Sequence, residues 1–72
     1  MNTDEQQVLR HIDRAIGGWV RENKTTSEAV AKALDISTGS LSSKRNGKTS
    51  WRLCELLALS KLFECTVEEL LN

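Results

Sequence analysis

The sequence predicts an all-α fold, a bundle of five short helices. Three observations carry this reading. Apolar residues recur at three- and four-residue spacing in successive segments. Residues of the kind that cap helices, Ser, Thr and Asp, stand before those segments. No stretch reads as a strand, and a 39% apolar composition suffices for one small core. The 72 residues predict a single domain spanning 1–72. A chain of this size buries only about 60% of its unfolded surface, so its stability margin is small.

The first helix is expected over residues 4–23. Val8, Leu9, Ile12, Ile16, Trp19 and Val20 form its inward face. Thr3 or Asp4 can cap its start, and Asp4 and Glu5 suit the positive end of the helix dipole. Gly17-Gly18 costs about 1 kcal/mol per glycine in a helix interior and marks either a kink or a close contact. A second helix, about Ser27 to Leu34, comes after a break at Lys24-Thr25-Thr26. Thr25 or Thr26 can cap it, and Thr25 with Glu28 fits a capping box. Val30, Ala31 and Leu34 face inward. Asp35 sits where the chain must turn, and Asp tolerates the left-handed conformation better than most residues.

Ser37 is a good cap for a third helix from Thr38 to about Arg45, in which only Leu41 points inward. Docking of Ile36 and Leu41 must hold it, because its intrinsic propensity is poor. Asn46-Gly47 stops it, one of the pair being left-handed. Ser50 is expected to cap a fourth helix, with Leu53, Leu56, Leu57, Ser60 and Leu62-Phe63 inward and Glu64 at its end. Thr66 with Glu69 makes a second capping box. Val67, Leu70 and Leu71 of a short fifth helix close the core. Trp51 either lies over the core as a lid or is exposed for a partner.

Composition narrows the function. No apolar run approaches the roughly 20 residues needed to cross a bilayer. The polar start MNTDEQQ does not read as a signal peptide. Cys54 and Cys65 read as reduced cysteines of a cytoplasmic protein. His11 is the one histidine and lies far from both in sequence, so neither a zinc site nor a paired nucleophile is expected. The chain is expected to be no enzyme and to carry no cofactor.

Net charge is zero, but its distribution is uneven. Residues 1–35 carry −1, residues 36–54 carry +4 with no acid, and residues 55–72 carry −3. The positive island, Lys44, Arg45, Lys48 and Arg52, comes after the hydroxyl-rich run DISTGSLSS. A tight turn of about three residues joins the second and third helices, which is helix-turn-helix geometry, over about residues 27–46. Ala31 supplies the small residue where the two helices cross. Val30, Leu34, Ile36 and Leu41 anchor the turn on both sides.

SEAVAKALDISTGSLSSKRNGK at 27–48 resembles the helix-turn-helix of the lambda repressor–Cro (xenobiotic-response-element) family. NGK at 46–48, LCELLALSKLF at 53–63 and TVEELL at 66–71 continue the likeness, and Ile12, Ile16 and Trp19 fit its first helix. The resemblance covers about residues 8–71. It implies a five-helix lambda-repressor-like bundle that binds double-stranded DNA, usually as a homodimer on a near-palindromic site. The helix from Thr38 would be the recognition helix. Thr38, Gly39, Ser42 and Ser43 match positions that face bases. Ser27, Ser40, Lys44, Arg45, Asn46, Lys48 and Arg52 match or adjoin positions that meet the DNA backbone.

Short side chains let a helix backbone approach bases closely, hydroxyls donate or accept, and the Thr38 methyl suits a thymine methyl. Four cations on phosphates predict a log–log salt slope near −3.6 per subunit. The sequence departs from the family at three places: Lys44 stands where an apolar residue is usual, Arg45 where Glu is common, and Asp35 where Gly is common. Lys44 is therefore expected to pack its stem and extend its amine outward, or else the helix ends before it. Positions 38, 39 and 43 hold no Arg, Gln or Asn, so bidentate base pairing of about 1–3 kcal/mol per contact is missing. The implied function is a transcriptional regulator, a phage or mobile-element repressor-like protein. The alternative is an interaction module on the same fold that binds a partner repressor, in the manner of an anti-repressor or antitoxin.

Overall fold

The computed structural model describes residues 5–72. Five helices succeed one another, α1 (Glu5–Glu22), α2 (Ser27–Ala33), α3 (Thr38–Arg45), α4 (Leu53–Leu62) and α5 (Val67–Leu71), with no strand among the described residues. The all-α expectation therefore holds. The expected caps Thr3 and Asp4 lie outside the described residues.

The long helix α1 is the platform. α2, α3 and α5 all pack on it, and α4 is held by α2 and α5. Ile12, Ile16, Val30, Ala31, Leu41, Leu59 and Leu70 are buried together. Val8, Trp19, Val20, Leu34, Ile36 and Phe63 close around them. Trp19 and Phe63 meet with ring centroids 5.8 Å apart, which ties α1 to the end of α4. Trp51 packs against the core as a lid, and its indole N–H is buried without a partner. Gly17 and Gly18 lie inside an unbroken α1, and a Cβ on either would meet nothing within 4 Å. No close contact therefore accounts for that pair.

Four helices end in the same motif. Lys24 (φ 50°), Asp35 (φ 59°), Gly47 (φ 78°) and Glu64 (φ 55°) each take the left-handed conformation just past a helix. The next residue then donates its N–H back to a carbonyl five positions earlier: Thr25 to Val20 (3.1 Å), Ile36 to Ala31 (3.0 Å), Lys48 to Ser43 (2.8 Å) and Cys65 to Ser60 (2.9 Å). These bonds satisfy carbonyls that the helix ends would orphan. Gly47 suits its place twice over, because a Cβ there would also sit 3.2 Å from Leu9 Cδ1. The other three are L residues in a conformation that costs them roughly 1–2 kcal/mol each.

Helix starts differ from expectation in two places. Thr26, not Thr25, stands at the cap of α2, and its side chain makes no cap bond. The third residue of the helix is then Ala29, which has no carboxylate to return, so the Thr25–Glu28 box does not form. Helix α4 starts at Leu53, with Arg52 rather than Ser50 at the cap. Glu55 Oε1 accepts the Arg52 N–H at 2.8 Å, which satisfies that end of the helix without a hydroxyl. The Thr66–Glu69 box is present. Thr66 Oγ1 accepts the Glu69 N–H at 3.0 Å, and Glu69 Oε1 accepts the Thr66 N–H at 3.0 Å.

The inward stripe of α4 is also corrected. Leu53 and Leu57 are 68% and 46% exposed, while Glu55, Leu59 and Ser60 are buried. Leu occupies so much of α4 that spacing alone does not choose its face. Both cysteines are free thiols, Cys54 exposed and Cys65 half-buried. The Cys65 thiol is pushed up from its ordinary pKa, first by burial and then by the neighbouring Glu69 carboxylate, so it stays protonated.

Candidate nucleic-acid interface

Helix α3 is built from residues that do not favour a helix, and it is fixed from outside. Ser37 Oγ accepts the Ser40 N–H at 3.0 Å, and the Ser37 hydroxyl also lies 3.0 Å from Ser40 Oγ. Leu41, 2% exposed, pins the middle of the helix to the core, and Ile36 packs beside it. The remaining positions turn outward. Thr38, Gly39, Ser40 and Ser42 are exposed, and Ser43 is half-buried. A Cβ on Gly39 would meet only Ser37 Oγ, 3.9 Å away. No internal contact therefore requires a glycine there.

The four cations of the positive island have separate fates. Lys44 is buried, its Nζ 3.1 Å from Glu55 Oε1 and 3.2 Å from the Ser50 carbonyl. Neither outcome expected for it occurs: α3 runs on to Arg45, and the amine turns inward. The expectation that Lys44 reaches a DNA phosphate is corrected on that ground. The reason is Glu55, a buried carboxylate that offers Lys44 a charged partner where water is excluded. α3 packs mainly on α1 and α2, and this ion pair joins its end to α4.

Arg45 Nε donates to Asp13 Oδ1 of α1, a pair that reaches the surface. Lys48 and Arg52 are exposed, with no ion-pair partner among the described residues.

Two open depressions flank α3. One is lined by Ser37, Gly39, Ser40, Ser43, Thr49 and Arg52, among others. The other is lined by Asp13, Ser27, Thr38, Leu41, Ser42, Arg45 and Asn46. Ser27 opens α2 and is half-buried beside Thr38, while Asn46 is exposed, its Nδ2 3.5 Å from Ser42 Oγ. The expected base-facing and backbone-facing residues, Lys44 apart, thus gather around the outer side of α3. Lys48 lies just past its end.

A family model described as Cro/C1-type HTH DNA-binding domain matches residues 20–72. The chain belongs to that family. Searches of curated proteins and of solved structures found no match. The matched stretch takes in the end of α1 and all of α2 to α5, including the pair α2 and α3 that a short turn joins. Ile12 and Ile16 lie before it, so their place in the bundle rests on their burial alone.

Sequence reasoning missed two residues of the site, Glu55 and Asp13. Glu55 had a signal. A lysine at an inward position next to a buried anchor needs an acid within reach. Asp13 had none, because its partner lies 32 positions away on another helix.

Among the described residues, no group of three His, Cys, Asp or Glu side chains is placed to hold a metal ion. No helix there is long and apolar enough to cross a membrane.

Proposed function

We propose that this Cro/C1-type domain is a sequence-selective transcriptional regulator that lays α3 in the major groove of duplex DNA. One observation carries the reading. α3 exposes an acid-free face of hydroxyls and a glycine, while Leu41 is its apolar anchor beneath. Thr38, Gly39, Ser42 and Ser43 face base edges, with hydroxyl contacts and the Thr38 methyl reading sequence. Ser27, Ser40, Asn46, Lys48 and Arg52 meet the backbone, and such contacts fix register without reading sequence. Two cations free of internal partners, Lys48 and Arg52, lower the expected log–log salt slope to about −1.8 per subunit, twice that for a homodimer.

The test is a salt titration of duplex binding, read by fluorescence anisotropy. A slope near these values supports the proposal. A slope near zero, or no binding at low salt, removes it. Scrambled duplexes separate sequence reading from backbone attraction. Without bidentate pairs, selectivity is modest. The repressor-like, phage or mobile-element setting belongs to the same proposal, and the neighbouring genes test it.

A second reading, a module that binds a partner regulator, is favoured by one observation. Leu53 and Leu57, one turn apart on α4, expose apolar surface to solvent. The same pair serves a homodimer on two half-sites. Leu53→Ser with Leu57→Ser distinguishes these readings from a DNA-binding monomer. Loss of a dimer in sedimentation, or of a complex with a co-encoded protein, identifies what that face holds.

A further inference from the structure

We propose that Asp13 is a built-in rival of DNA for Arg45, an intramolecular stand-in for a backbone phosphate that tempers affinity. The inference rests on the DNA-binding reading above. Asp13 belongs to α1, outside the helix-turn-helix, yet its carboxylate shares one depression with Ser27, Thr38, Ser42 and Asn46. Its side chain is 47% exposed and that of Arg45 is 28% exposed, so both stand open to an incoming strand. The bond uses only Arg45 Nε; the terminal guanidinium nitrogens have no partner among the described residues.

A guanidinium fork fits a phosphate as well as it fits a carboxylate. Exposed pairs of this kind hold weakly, so Arg45 can exchange Asp13 for a phosphate. The exchange gains little, however. Arg45 arrives already neutralised, and Asp13 remains nearby as a negative charge facing the strand. The contrast with Lys44 sharpens the point. That cation is locked inside by Glu55, whereas Arg45 is held at the surface by an acid that can let go.

Asp13→Asn tests this in the full chain, because the amide oxygen still accepts from Arg45 Nε while the charge is gone. Binding to one duplex of mixed sequence is measured between about 50 and 200 mM salt. Asp13→Asn is expected to tighten binding about five-fold at low salt and to steepen the slope by about 0.9. In an Arg45→Gln background the same substitution should leave the slope unchanged. Unchanged or weaker binding by Asp13→Asn overturns the proposal, as does an equal gain with and without Arg45. If the parent chain binds with a slope near −1.8 and Asp13→Asn does not differ, this inference alone fails. If neither chain binds duplex, the DNA reading fails and takes the inference with it.

Discussion

The chain makes the same turn twice. Leu34-Asp35-Ile36-Ser37 joins α2 to α3, and Phe63-Glu64-Cys65-Thr66 joins α4 to α5. Each runs from an apolar cap residue (φ −88° in both) through a left-handed acid and an apolar residue to a hydroxyl cap (ψ 160° in both). The helices beyond the two turns differ. α5 carries Glu68-Glu69 in its first turn and buries Leu70, so its outer surface repels a polyanion. α3 has no acid, keeps Leu41 inside and leaves hydroxyls outside. The turn therefore builds a helix pair and not a function. The second helix's outward residues decide what the pair can meet.

The comparison can be broken first at the anchors. Leu41→Ala and Leu70→Ala should each cost about 2–5 kcal/mol in urea denaturation, because both leave cavities in one shared core. An effect at only one of them would mean that the two helices are not held alike.

The next difference is the ion pair, which the second turn lacks. Lys44→Ala leaves the buried Glu55 without its cation, the Arg52 N–H its remaining partner, and should cost about 3–5 kcal/mol. Lys44→Met with Glu55→Leu should recover most of that and stay about 1 kcal/mol below the parent, because Glu55 also caps α4. A double variant no more stable than Lys44→Ala would show that the pair's hydrogen bonds, to the Ser50 carbonyl and from the Arg52 N–H, matter more than its charges.

The caps sharpen the parallel. Ser37→Ala and Thr66→Ala should each lose about 1 kcal/mol, with duplex affinity falling only for Ser37→Ala. The smallest effects are gains. Asp35→Gly and Glu64→Gly should raise stability by up to about 1 kcal/mol, since both positions are left-handed. Gly39→Ala should add about 1 kcal/mol through helix propensity. It should nonetheless weaken DNA binding, because the new methyl points where a base edge would lie. Thermal midpoints and anisotropy measured on the same samples check both halves.

Much of this was written in local sequence. The spacing of Ile12 and Ile16, the hydroxyls at Ser37 and Thr66, and Asp35 and Glu64 beyond helix ends are short-range signals, and the helices obey them. The face of α4 was not readable, because its leucines occur on more than one side. The start of α4 was misread for a related reason: a charged residue, Arg52, stands at the cap, and a carboxylate three residues later satisfies its N–H. Within the candidate site, the hydroxyl face of α3 was readable and the state of its cations was not. Lys44 and Arg45 look alike in sequence and end in opposite situations, because Glu55 and Asp13 reach them through the fold.

The most direct test is amide chemical-shift mapping of the labelled chain with duplex DNA. The account predicts shifts at Ser27, along Thr38–Ser43 and at Asn46 to Lys48, with α5 silent. Shifts confined to α5 or to the Leu53–Leu57 face, with α3 unmoved, would contradict it.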